Sequence, residues 1–426
     1  MPAVRALALI DGEHYAPTVR DALGGLPYEV VGAVLVGGTE KLRAGADYGV
    51  SVTDDLDAAL RELEPEVVVD LSDEPVLGPA ARFRCASRVL AAGAAYVGSD
   101  FRFEPPVFEP FPLPSLAVFA DGKRVGKTAV SAHVARVLGA DRDVVAVAMG
   151  RGGPAEPEVV EAAPSVEELL ELSRRDRHAA SDYLEIAVVA DVVAIGCRRC
   201  GGGLAGAVTT SNVAAGAELA LARGPDFVLF DGSGAALPPV ATGKRLLVTS
   251  TYNDPAVVTG YLNAYRILLS DLVVITMADE ATPHDELARE IRGVKEHVGV
   301  IAAALRPRPL RPVDGERVAY FTTAHARSHG RLARHLAEEH GANVVAVSGA
   351  LSDRGALAAD LADLDADVYL TELKAAAIDV VAEAGAERGV EVVLAANDVV
   401  PLPGQPDLDS ELRALAEAAS AEPVAT

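Results

Sequence analysis

Residues 116–138 read LAVFADGKRVGKTAVSAHVARVL, and no other stretch restricts the fold as much. Residues 116–119 are apolar without alternation, the pattern of a strand buried on both faces of a parallel sheet. Val130, Val134, Val137 and Leu138 recur at i, i+4, i+7 and i+8, one apolar face of a helix. Between them lies the loop Asp121-Gly122-Lys123-Arg124-Val125-Gly126-Lys127-Thr128. A strand, a glycine loop closing on Gly-Lys-Thr and then a helix is the setting of a phosphate-binding P-loop. Unpaired N–H groups at the helix start point at an anion, and the helix dipole favours its charge. In this reading Gly122, Lys123, Arg124, Val125, Gly126, Lys127 and Thr128 hold nucleotide phosphates. Lys127 reaches the β- and γ-phosphates, and the Thr128 hydroxyl ligates Mg²⁺.

The spacing is irregular. The usual loop has a glycine where this chain has Asp121, and a loop one residue longer would put its first glycine at Ala120. The alternative is a strand–turn–helix with a solvated basic turn. Lysine usage argues against it, because two of only six lysines in the chain lie in this loop. The net charge of −24 argues against a general nucleic-acid binder and makes any local cluster of cations informative. No apolar run approaches the ~20 residues of a membrane span, and ALALI near the start is cut short by Asp11, as a strand would be. Three cysteines fit a reducing compartment, and the expected location is the cytoplasm.

The expected fold class is α/β: a central P-loop domain (115–305) between Rossmann- or flavodoxin-like α/β domains (1–110 and 315–405), all three-layer with parallel sheets. Residues 101–114, FRFEPPVFEPFPLP, read as an extended, docked linker, and Arg306-Pro307-Arg308-Pro309 as the start of a second. In the third unit the strand patterns RVAYFTTA, NVVAVSG, DVYLTEL and VEVVLAAN alternate with helical stretches, without a G-x-G-x-x-G fingerprint. The alanine-rich end reads as a final helix.

Polar and glycine residues after the strand patterns supply the other candidates. DFVLF followed by Asp231 resembles a Walker B strand whose acid holds Mg²⁺. Arg151-Gly152-Gly153 followed by Glu156 and Glu158 suits a phosphate beside the metal, with both glutamates as further ligands; an exposed Gly-Pro turn is the plain alternative. His178 is a candidate phosphate contact or proton shuttle. Cys197-Arg198-Arg199-Cys200-Gly201-Gly202-Gly203 admits a zinc or redox reading through C-x-x-C. The residues suit a polyanion clamp better: guanidinium forks give bidentate contacts, and Gly201 and Gly202 let backbone N–H groups approach. Lys374, after the third strand of the last unit, is a candidate anion contact.

Taken together these stretches resemble the cyclic 2,3-diphosphoglycerate synthetase family over nearly the full length. The resemblance rests on LIDGEHY (9–15), VGGTEKL (36–42), DLSDEP (70–75), GKRVGKTAVSAHV (122–134), MGRGGPAEPE (149–158), HAASD (178–182), GCRRCGGGLAG (196–206), GSGAALPPV (232–240) and TELKAAAID (371–379). Ala120 departs from it, since the family's longer loop tends to have glycine there. The resemblance implies an ATP-dependent ligase that transfers the γ-phosphoryl group to one phosphate of 2,3-diphosphoglycerate. The other phosphate then attacks and closes the ring. Lys123 and Lys127 would serve ATP, with Mg²⁺ on Thr128 and Asp231, while Arg151, Arg198, Arg199 and His178 hold the acid. A homodimer and stimulation by K⁺ are implied as well. The competing readings are another P-loop ligase or kinase acting on a small phosphorylated or carboxylic acid, and a nucleotide switch protein without enzymatic activity.

Overall fold

Ser115–Ala120, the strand that feeds the phosphate loop, is buried at every position, and its alternate side chains enter two different cores. Leu116, Val118 and Ala120 pack with Val130 and Val134 of the helix Lys127–Gly139. Ala117 and Phe119 pack with Phe230, Ile275 and, further out, Leu9 and Tyr96 of the N-terminal unit. An unbroken apolar run is what burial on both faces demands. The structure, a computed structural model, describes residues 3–175, 177–279, 284–374 and 377–421. Ala375 and Ala376 of the TELKAAAID stretch lie outside the described residues.

The N-terminal sheet runs Val52–Thr53, Glu29–Leu35, Arg5–Ile10, Val67–Asp70, Ala95–Val97 and Arg102–Phe103 in spatial order, parallel except at the last pair. It is joined to the centre by the helix Pro79–Ala91, which packs on Asn263–Leu269. The Ser87 hydroxyl donates to the Tyr261 carbonyl at 3.1 Å across this contact. The proline-rich stretch that follows is held along the central unit. Glu109 exchanges backbone hydrogen bonds with Pro239 and Ala241, and Phe111 meets Phe230 edge-on with ring centroids 5.0 Å apart.

In the central sheet Ser115–Ala120 lies between Phe227–Asp231 and Lys244–Ser250, so Asp231 ends the strand beside the P-loop strand. Leu272–Thr276 and Gly299–Pro309 continue it on one side, and Val144–Gly150 and Val193–Cys200 on the other. The Arg-Pro-Arg-Pro stretch departs from expectation. It is the second half of Gly299–Pro309 and pairs antiparallel with Glu391–Pro401, Ala303 opposite Pro401 and Pro309 opposite Ala395. One 13-stranded sheet therefore passes from the central unit into the C-terminal one. The prolines explain themselves by parity. Leu310 N–H donates to the Leu394 carbonyl, so even positions face the partner strand while Pro307 and Pro309 direct their missing donors away from it.

Leu408–Ala421 returns to the P-loop helix, burying Leu412, Ala416 and Ala419 in the same core as Val130 and Val134. His133 on the P-loop helix meets Asp409 at 2.8 Å, and burial holds its imidazole below its ordinary pKa. Leu412 is fully buried, so Leu412→Ala is expected to cost about 2–5 kcal/mol. Thermal unfolding should show the loss directly, and an unchanged midpoint would mean that the last helix is not docked in solution.

Candidate active site

Lys127–Gly139 begins at Gly126, whose φ of 77° lies in the left-handed region that glycine tolerates best. A Cβ there would also come within 2.9 Å of the Leu305 side chain, which reaches the loop from the long shared strand. Arg124 also has a positive φ, 61°, without that freedom. Asp121, at the place of the usual glycine, anchors the loop from below. Its carboxylate accepts from Thr249 Oγ1 at 2.6 Å and from Asn253 Nδ2 at 3.1 Å, and burial raises its pKa despite these bonds. Ala120 ends the strand, and its methyl group is buried in the core that also takes Val125 of the loop.

Lys127 Nζ lies 2.6 Å from both carboxylate oxygens of Asp231, and the Ser131 hydroxyl donates to the same group. Asp231 is fully buried, and burial pushes its carboxyl up to about 6, against the pull of Lys127. Asp182 adds a like charge on Asp231 and accepts from Thr128 Oγ1 at 3.4 Å. Two carboxylates and a hydroxyl thus converge at the helix start. Among the described residues no three His, Cys, Asp or Glu side chains gather into a metal cage. The set fits Mg²⁺, which takes one or two carboxylates and draws its other ligands from phosphate and water. Glu156 is exposed and Glu158 is ion-paired with Arg177.

The Arg-Arg pair does not form one clamp. Both arginines lie on the strand Val193–Cys200, where neighbouring side chains leave opposite faces. Arg199 turns inward. Its Nη1 donates to the Gly201 carbonyl at 2.6 Å and its Nη2 to the Ser233 carbonyl at 2.9 Å, two residues beyond Asp231. Its Nε is buried without a partner among the described residues. Burial lowers the Arg199 pKa, and the positive charge of Arg151 adds to the effect. Arg151 also reaches Gly234, where a Cβ would stand 3.2 Å from its Nη2 and 3.5 Å from the carbonyl of Gly122. Two guanidiniums therefore share the rim between the P-loop and the Asp231 strand. His178 lies against Gly152, and Gly202 against Arg199. Gly153 is pressed on the Cys197 carbonyl so closely that no side chain fits. Arg198 is exposed, and its backbone N–H donates to Asn212 Oδ1 at 2.7 Å. Lys123 and Arg124 are exposed on the loop.

The same strand geometry separates Cys197 from Cys200. Cys197 is buried, with its thiol pushed up to about 12, while Cys200 is exposed. The two thiols leave opposite faces of the strand and do not stand together as a ligand or redox pair. Lys374 reaches the central unit from the C-terminal one, with Nζ 2.7 and 2.8 Å from the two oxygens of Glu185. Burial would lower its pKa, but Glu185 and Glu372 carry it above the ordinary value.

Asp182 and Glu185 are the residues that reading the chain did not single out. A signal was present: they are the two acids, three apart, in the otherwise apolar helix Asp182–Ala190, DYLEIAVVA. A buried acid in such a run needs a partner, and Glu185 has Lys374.

Three family descriptions match the chain. The N-terminal domain of cyclic 2,3-diphosphoglycerate synthetase matches residues 5–104, its P-loop domain 115–304 and its C-terminal domain 309–398. The cyclic 2,3-diphosphoglycerate synthetase of Rubrobacter xylanophilus is 50% identical, with 98% of each chain covered. The chain belongs to the cyclic 2,3-diphosphoglycerate synthetase family. The family member of Methanothermus fervidus is 40% identical over 92% of each chain. Among solved structures, LpxK from Aquifex aeolicus in complex with ATP aligns with 74% of this chain and 90% of its own, at 14% identity and a TM-score of 0.41.

Proposed function

We propose that the chain is an ATP-dependent ligase that closes 2,3-diphosphoglycerate into cyclic 2,3-diphosphoglycerate, releasing ADP and Pi. Family membership supports the reaction. The observation that carries the site is the paired arginines at the loop rim. Arg199 is half-buried beside Arg151 with an orphaned Nε, an arrangement that favours a multiply charged anion.

ATP lies along the P-loop, its phosphates met by Lys123, Lys127 and the backbone N–H groups of residues 122–128. Thr128, Asp182 and Asp231 would hold Mg²⁺, which would supply charge neutralisation for phosphoryl transfer. Arg151, Arg199, His178 and the N–H groups near Gly152, Gly153, Gly201 and Gly202 hold the acid. An oxygen of one substrate phosphate attacks the γ-phosphorus, and the bond to ADP breaks. An oxygen of the second phosphate then attacks the first phosphorus. The phosphate just transferred leaves as Pi, and the P–O–P ring closes. No protein nucleophile is needed, so positioning and charge neutralisation carry the catalysis. Lys374 acts through Glu185, steadying the helix that bears Asp182. A homodimer, stimulation by K⁺ and a cytoplasmic location belong to the same reading. Among the described residues no helix is long and apolar enough to cross a membrane.

Phosphorus NMR of the purified protein with 2,3-diphosphoglycerate, ATP, Mg²⁺ and K⁺ tests the reaction. A cyclic-anhydride signal growing with ADP and Pi is expected, and ADP without it would sink the substrate assignment. The arginines give a sharper test of the site. Arg199→Gln is expected to raise KM for the acid about tenfold or more with a small change for ATP, in line with ~1.5–3 kcal/mol for a charged hydrogen bond. Arg198→Gln should stay within about threefold. Equal losses in the two variants would restore a joint clamp.

A further inference from the structure

The N-terminal unit holds a cavity of about 410 Å³ that shares no residue with the P-loop site. Tyr15, Ala16, Pro17, Arg20, Lys41, Arg43 and Asp47 line it, together with the small residues Ala44, Gly45 and Ala46. It sits at the start of the helix Ala16–Gly25, past the C-terminal ends of Arg5–Ile10 and Glu29–Leu35. Open parallel sheets bind ligands at that edge.

The wall is built and not merely loose surface. The Gly12 N–H donates to the Gly37 carbonyl and the Lys41 N–H to the Gly12 carbonyl, both at 2.8 Å. Glu13 Oε1 accepts from the Thr39 N–H at 3.1 Å and the Glu40 N–H at 3.3 Å. A Cβ on Gly12 would collide with the Gly38 carbonyl, so the loops carrying LIDGEHY and VGGTEKL lie in backbone contact. That lacing fixes where Lys41 and Arg43 stand. Both cations lie over the Tyr15 ring, 5.9 and 5.8 Å from its centroid.

Charge gives the chemistry. Arg20, Lys41 and Arg43 face one lining carboxylate, Asp47, in a chain whose net charge is −24. Asp47 is spent on Arg20 at 3.0 Å, and Lys41 meets Glu40 at 3.2 Å. These are exposed pairs that a dianion can displace at little cost. Among the described residues the Arg43 guanidinium has only its contact with the Tyr15 ring. The first turn of the helix adds its positive end. We propose that this cavity is a second anion site, for a small molecule bearing two or more phosphate or carboxylate groups, separate from the ATP and substrate sites. The volume suits an anion of that size and falls within the usual range of small-molecule pockets. This goes beyond the catalytic reading and stands without it.

The test is calorimetric titration of inorganic pyrophosphate, and separately of 2,3-diphosphoglycerate, into the full chain saturated with Mg·ADP at low ionic strength. The variants are the charge-neutral double change Lys41→Gln with Arg43→Gln, and Arg151→Gln. The wild type is expected to bind two equivalents of pyrophosphate per chain. The double variant should weaken one of them at least tenfold while its thermal midpoint and ATP turnover stay near wild type, and Arg151→Gln should weaken the other. Identical titrations for wild type and double variant would overturn the site. So would loss of ATP turnover in the double variant, which would make the cavity part of the catalytic centre. Because pyrophosphate binding is read without turnover, a failed ring-closure assay leaves this result standing.

Discussion

Lys127→Ala is expected to lower ATP turnover by about a hundredfold to a thousandfold, the loss typical of removing one charge-stabilising group from a transition state. It also leaves Asp231 fully buried without the ammonium that now contacts both of its oxygens. Removing one partner of a buried pair costs about 3–5 kcal/mol, unless the survivor takes a proton. Asp231 is poised to do so, since burial already holds its carboxyl near 6. Stability should therefore fall by less than that range near pH 6 and by more of it at pH 8. Pairing Lys127→Ala with Asp231→Asn should remove the pH dependence without restoring turnover. ADP release and thermal unfolding across that pH window separate the two effects, and single-variant turnover within about threefold of wild type would remove the P-loop assignment.

Asp182→Asn should give the second large loss, about a hundredfold in turnover, with the fold retained. Asparagine keeps a hydrogen-bond acceptor for Thr128 while deleting the charge that bears on Asp231. If Asp182 helps hold the metal, half-saturating Mg²⁺ should rise about tenfold. A role limited to starting the helix Asp182–Ala190 would lower the thermal midpoint and leave the Mg²⁺ dependence unchanged. A titration of turnover against Mg²⁺ decides between them.

The central site was legible where chemistry and local structure coincide. The Gly-Lys-Thr loop must follow a strand and start a helix, and the acid at the tip of DFVLF must sit at that sheet edge, so residue types and order suffice for Lys127, Thr128 and Asp231. What needed three dimensions was the direction of side chains and the reach across units. Arg198 and Arg199 read as one clamp because adjacency in sequence suggests proximity, yet an extended strand sends them apart. Asp121 read as a defect at a glycine position, and its anchoring bonds come from Thr249 and Asn253, more than a hundred residues away. Asp182 lay inside HAASD, but only packing against the P-loop helix shows it beside Thr128. Prolines at 307 and 309 read as a linker because proline is rare within sheets, and the parity that admits them depends on which neighbour each side of the strand has.

That strand has a bearing on how the protein can be cut. The family boundaries at 304 and 309 fall inside Gly299–Pro309, so a fragment ending there would keep half of a strand and lose the partner of the other half. Its raw edge would carry unpaired N–H and C=O groups, an invitation to self-association. The P-loop helix would also lose the cover of Leu408–Ala421, uncovering the apolar positions that Leu412 and Ala416 now seal. Chains ending after the last helix should behave as folding units, whereas the centre expressed by itself should aggregate. In this architecture the second and third units share one sheet and one core, so neither has a closed edge without the other.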